Sequence, residues 1–76
     1  MIYYTQHALS RMSRRNIGKP SVEAVVQCGF VVIDQSKFDR LILGLEGLRV
    51  ITNTARTHVI SAFWNREHRI SPQEAA

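Results

Sequence analysis

One cysteine, two prolines and four glycines are all this chain has of the residues that staple or punctuate a small fold. Cys28 stands alone, so an internal disulfide is impossible and a cysteine-based zinc site is excluded. Gly44 and Gly47 read as turn or bulge residues, and no glycine-rich phosphate loop is present. No apolar run approaches the roughly 20 residues that span a bilayer. Met1-Ile2-Tyr3-Tyr4 lacks the basic region and apolar core of a secretory leader. No membrane association is expected, and the expected location is the cytoplasm. Acidic side chains are absent before Glu23, whereas Arg11, Arg14, Arg15 and Lys19 all precede it.

What is present is a basic chain of 76 residues, with a net charge of +4 and 45% apolar residues. That length predicts a single domain, residues 1–76, with a thin core and a stability on the order of 5 kcal/mol or less. A homodimer or a bound partner would supplement such a core. The charge suggests nucleic acid or an acidic protein as that partner.

The stretch Thr5 to Ile17 organises the rest. Thr5 is suited to cap a helix, because its hydroxyl can accept from a free N–H of the first turn. The helix then runs to about Arg15. At about 100° per residue, Ala8, Leu9 and Met12 fall on one side. His7, Arg11 and Arg14 fall together on the other, at i, i+4 and i+7. Three such side chains repel one another, and their grouping makes most sense facing an anion, phosphate first. Asn16 to Pro20 breaks the helix. A second helix follows to about Cys28, with Pro20 in its first turn, Val22, Val25 and Val26 as its buried stripe, and Gly29 as a left-handed C-cap.

After Gly29 the periodicity becomes strand-like. Strands are predicted at Phe30 to Ile33, Arg40 to Leu45, Leu48 to Thr52 and Thr57 to Trp64. Turns are predicted at Glu46-Gly47 and at Asn53 to Arg56. Along the last strand, alternation places His58, Ile60, Ala62 and Trp64 on one face and Val59, Ser61 and Phe63 on the other. Residues 1–4 suit an edge strand or an arm on the sheet. The tail 65–76 reads as irregular, or as a short helix begun by Ser71-Pro72. Helices first and strands after them predict an α+β fold: two helices on one face of an antiparallel sheet of about four strands.

The chemistry concentrates on His7, Arg11 and Arg14, a phosphate clamp with an imidazole able to pass a proton near neutral pH. The bland alternative is a solvated helix face. Arg15 lies between the two faces, placed to bridge to a neighbouring element or to add a cation to the substrate site. Ser61 can donate to a phosphate oxygen. Trp64 can stack on a base, although a tryptophan on a strand is more often core. His58 and His68 form no metal-binding pair, so neither a metal nor another cofactor is expected. Nothing positions Glu46 or Glu67 as a base, and Cys28 reads as packing.

Thr5-x-His7-Ala8-x-x-Arg11-Met12, an arginine pair at 14 and 15, Ile17, the valine-rich helix ending at Gly29, Leu48-x-Val50 and Val59-Ile60-x-x-x-Trp64 together resemble a widespread family of small bacterial domains of unknown function. The resemblance covers about residues 5–64. Its members look like relatives of RelE-type and barnase-like toxin ribonucleases. Lys19-Pro20 departs from the serine and acidic start usual for the second helix, and Ser61 stands where threonine is frequent. The resemblance implies metal-independent RNA cleavage, with His7 as acid or base, Arg11 and Arg14 on the phosphate and Ser61 assisting. RNA is then the expected partner, and an inhibitory partner protein is the second one a toxin-like domain implies. Two other readings stand beside it: a non-catalytic module binding nucleic acid or an acidic partner through the same face, and a structural domain whose edge strand pairs with a second copy.

Overall fold

A computed structural model describes residues 2–65; the expectations for the tail and for Glu67 and His68 lie outside the described residues. The chain runs β1 (Tyr3–Tyr4), α1 (Gln6–Arg14), α2 (Lys19–Cys28), β2 (Phe30–Gln35), a 3-10 turn (Ser36–Phe38), β3 (Arg40–Leu45), β4 (Leu48–Thr52) and β5 (His58–Trp64). The strands form one sheet in the order β1-β5-β4-β3-β2. The α+β class holds, with two corrections. The sheet has five strands, and it is mixed, because Tyr3 and Tyr4 pair in parallel with His58 and Val59. A two-residue strand carries too little periodicity to announce its direction.

Local chemistry accounts for the boundaries. The Thr5 hydroxyl accepts from the Ala8 N–H at 3.0 Å and opens α1. Its end is a Schellman motif built on asparagine. Asn16 takes a left-handed φ of 58°, its N–H donates to the Ser13 carbonyl, and the Ile17 N–H donates to the Met12 carbonyl at 2.8 Å. Met12 and Ile17 are both buried, which supplies the apolar contact that accompanies this motif. Glu46 and Gly47 have φ of 50° and 86°, the two positive values a tight hairpin between paired Leu45 and Leu48 requires.

Two glycines differ from expectation. Gly29 is extended, at φ −72° and ψ 164°, and is no left-handed cap. A Cβ there would lie 2.4 Å from the Val25 carbonyl oxygen and 2.8 Å from that of Gly44. Close approach of two backbones, α2 to β3, therefore demands the glycine. Gly44 is neither turn nor bulge but interior to β3, where a Cβ would meet the Arg49 guanidinium at 2.6 Å and Val32 at 2.8 Å.

The core lies between the helices and one sheet face. Ala8, Met12, Val22, Val25 and Val26 pack on Leu41, Leu43, Leu48, Val50, Val59 and Ala62. Buried Thr52 satisfies its hydroxyl by donating to the Asn53 carbonyl at 2.9 Å. Helix α1 lies on β5, and α2 lies on β3 and β4. The first strand is braced separately: the Tyr4 phenol donates to Glu23 Oε2 at 3.2 Å, and the Lys19 ammonium sits 5.2 Å from the Tyr4 ring centre. Burial, then the hydrogen bond and charge of Glu23, push the Tyr4 phenol up to about 12.

The expected alternation along β5 is broken by a bulge. Ile51 pairs with Ser61 and Thr52 with Val59, so Ile60 is the extra residue. Val59 and Ala62 therefore both face the helices, three positions apart, and both are fully buried. Ser61 and Phe63 turn to the open face opposite Ile51 and Arg49.

Candidate functional site

Beyond Val59, the outer edge of β5 has no strand beside it among the described residues, because β1 ends at Tyr4. Its outward carbonyls still find donors. The backbone N–H of Thr5 donates to the Val59 carbonyl at 3.1 Å. Thr5 Oγ1 donates to the Ile60 carbonyl at 3.3 Å, and Arg15 Nη1 donates to the Ala62 carbonyl at 2.8 Å. Side chains at the two ends of α1 thus occupy the place of a missing strand. Trp64 Nε1 closes the far end by donating to the Arg15 carbonyl at 3.3 Å.

Between α1 and this edge lies a hollow of about 590 Å³, lined by His7, Arg11, Arg15, Ser61, Phe63, Trp64 and Asn65. Helix α1 and its C-cap supply His7, Arg11 and Arg15; β5 and the residue after it supply the rest. Because the hollow wraps the open edge of the strand, residues from both faces of β5 reach it. Arg11 Nε donates to His7 Nε2 at 3.4 Å, a bond that needs the lone pair on Nε2 and so places the ring proton on Nδ1.

Among the described residues no carboxylate lines the hollow. The nearby acids in sequence are engaged elsewhere. Glu23 holds Tyr4, Asp34 accepts from the hydroxyl and N–H of Ser36, and Asp39 accepts from the hydroxyl and N–H of Thr54. Those bonds, the hydroxyl ones first, hold the Asp34 and Asp39 carboxyls below the usual range. The guanidinium groups of Arg11 and Arg15 therefore face the hollow with no counter-charge among the described residues of its walls. Among the described residues no group of histidine, cysteine and acidic side chains is arranged to hold a metal ion, and no helix is long and apolar enough to cross a membrane.

Of the residues named from sequence, His7, Arg11, Arg15, Ser61 and Trp64 come together here. Arg14 does not: it is exposed and lines no part of the hollow. The reason is the helical drift. Each i+4 step advances about 40° past a full turn, so the row His7, Arg11, Arg15 spirals toward the buried Ala8–Met12 side, whereas Arg14 falls away from it. Trp64 is neither core nor fully free; it is 37% exposed at the rim. Sequence reasoning gave no role to Phe63 or Asn65. Phe63 had a signal, since it sits two positions from Ser61 on the same strand face; Asn65 had none.

No curated protein and no solved structure gives a significant match to this chain. The sequence profile of one family does match, over residues 4–70, and it spans both helices, all the strands from β2 to β5 and every residue lining the hollow. The chain belongs to the DUF4258 family, a domain of unknown function.

Proposed function

We propose that the α1–β5 hollow binds a phosphodiester of RNA, and that the protein cleaves RNA there without a metal ion. One observation carries this reading: His7, Arg11, Arg15 and Ser61 share one hollow, with no carboxylate among the described residues that line it. Two guanidinium groups provide the fork geometry that phosphate oxygens accept. Trp64 and Phe63 provide ring faces for a neighbouring base.

The step uses the ribose 2′-hydroxyl as nucleophile. His7 Nε2 takes the 2′ proton, the 2′ oxygen bonds to phosphorus, and the bond from phosphorus to the 5′ oxygen breaks. A 2′,3′-cyclic phosphate forms. The leaving 5′ oxygen takes its proton from water, because no second imidazole is among the described residues that line the hollow. Arg11 and Arg15 stabilise the charge gained by the phosphate. Arg11 must first leave His7 Nε2 for the phosphate, which frees the lone pair for the proton.

The test is incubation of the pure protein with total RNA in EDTA, beside a His7→Ala variant of intact fold. Cleavage by the wild type is expected, with a rate about 100-fold lower or less in the variant. Equal cleavage by both would remove His7 from the mechanism. Intact RNA in both supports a second reading, phosphodiester binding without turnover. The occupied Nε2 of His7 favours that alternative, and it predicts RNA retention that weakens as salt rises.

A further inference from the structure

The opposite edge of the sheet is built in another way. Strand β2 is exposed at all six of its positions, and the helices pack mainly on β3, β4 and β5. Phe30 is 59% exposed, Val31 42%, Val32 40%, Ile33 47% and, just beyond the strand, Phe38 65%. A bulge adds to this. Val31 pairs with Leu43 and Ile33 with Ile42, so Val32 is the extra residue. Val32 and Ile33 both turn to the open face, where they line a shallow hollow with Ile42, Arg49 and Phe63.

Edge strands in soluble proteins are kept from pairing by lysine, proline, inward charge, shortness or a covering element. Strand β2 has six residues, no lysine and no proline. Asp34 is its only charge, placed near its end and bonded to Ser36. The bulge is the sole protective device. The row of edge N–H and C=O groups and the apolar side chains beside it are thus both available to a strand of matching character.

We infer that β2 pairs with β2 of a second copy, antiparallel about a two-fold axis. The partner's chemistry follows from what the edge displays. Its single charge, Asp34, is at the end of the strand and already bonded to Ser36, so the edge offers apolar surface rather than a charged patch. The eleven residues after Asn65 contain only two aliphatic side chains larger than alanine, Ile70 and Pro72, too few to match the apolar area of this strand. An identical strand does, and antiparallel self-pairing is isologous by construction. The five apolar side chains expose roughly 400 Å² per copy, which is about the apolar share of a standard interface of some 800 Å² per partner. The α1–β5 hollow meets the shallow one at Phe63 and Asn65, but its His7, Arg11 and Arg15 lie beyond β5, three strands from β2, and stay open in such a dimer. This inference is therefore independent of the function proposed for that hollow.

The test is sedimentation of the full chain over a wide concentration range, beside Ile33→Lys and Phe30→Ser, each checked for its fold by circular dichroism. The wild type is expected to dimerise reversibly. Ile33→Lys, which places a charge in the joint, is expected to raise the dimer dissociation constant about 100-fold or more, and Phe30→Ser about tenfold. Should Ile33→Lys not fold, Phe30→Ser still decides, because its side chain is mostly outside the monomer. Concentration-dependent slowing of amide exchange in residues 30–35 is the second expected result. A wild type that stays monomeric at its highest concentration overturns the inference. So does a dimer that neither substitution weakens.

Discussion

At one edge of the sheet, β5 runs past the end of β1 and its free carbonyls at Ile60 and Ala62 are taken by Thr5 and Arg15. At the other, β2 has no neighbouring strand on its outer edge among the described residues, and all six of its residues are exposed. The first edge is polar, cationic and concave; the second is apolar and nearly neutral. The difference teaches where each kind of partner belongs. An edge sealed by side chains of a helix cannot accept another strand, but it holds those side chains at fixed positions beside a hollow. An open edge holds nothing in place, yet it offers the full main-chain pairing of a strand.

Substitutions can break this contrast, and the largest effect is expected at Gly29, where β2 leaves α2. Gly29→Ala forces a Cβ against two backbone carbonyls, neither of which can rotate away. A loss of about 3 kcal/mol in urea unfolding is expected, with β2 displaced from β3. Gly44→Ala should cost less, because the nearer atom it meets is the end of the flexible Arg49 side chain.

Next comes Arg15→Ala, which leaves the Ala62 carbonyl without its side-chain donor and removes one cation from the hollow. About 1–2 kcal/mol of stability is expected to go with the charge-assisted bond, discounted for its partial exposure. Arg14→Ala is the control. It is expected to change stability by less than about 0.5 kcal/mol, and comparison of the two variants in thermal melts and in RNA retention checks the assignment of adjacent arginines.

Thr5→Ala deletes both the cap on Ala8 and the donor to Ile60, with an expected cost of about 1 kcal/mol. Thr5→Ser keeps both bonds and should restore most of it in the same melts.

The last effect shows only at alkaline pH. The Tyr4 phenol has an ordinary value of 10.0, and the fold raises it to about 12. The unfolded chain therefore loses this proton first. The stability the phenol confers is complete below pH 10.0 and is lost as pH rises through about 12. Tyr4→Phe is expected to remove that part of the slope in a melting temperature against pH profile. An unchanged slope would falsify the Tyr4–Glu23 brace between β1 and α2.

Much of this was legible before any coordinates. The capping hydroxyl of Thr5, the valine stripe of α2, the Glu46-Gly47 hairpin and the grouping of His7 with Arg11 all follow from spacing of about 3.6 or 2 residues and from turn chemistry, which act over a few residues of chain. Other features depend on what a segment meets from far away in the sequence. Whether Gly29 is a cap or a contact is decided by the Gly44 carbonyl, fifteen positions on. Which side of β5 carries Ser61 is decided by a bulge at Ile60, and period-two counting cannot see a bulge.

The sequence by itself determined the helices, the strands from β2 onward and a cationic row on α1, because each is a local preference repeated along a short stretch. Only the tertiary structure decided that β1 pairs in parallel, that Arg15 rather than Arg14 joins the row, and that one sheet edge is sealed while the other stays open. Those outcomes rest on where α1 docks along β5 and on how far the helices reach across the sheet, and docking is set by the summed packing of the core, to which no single stretch of sequence holds the answer.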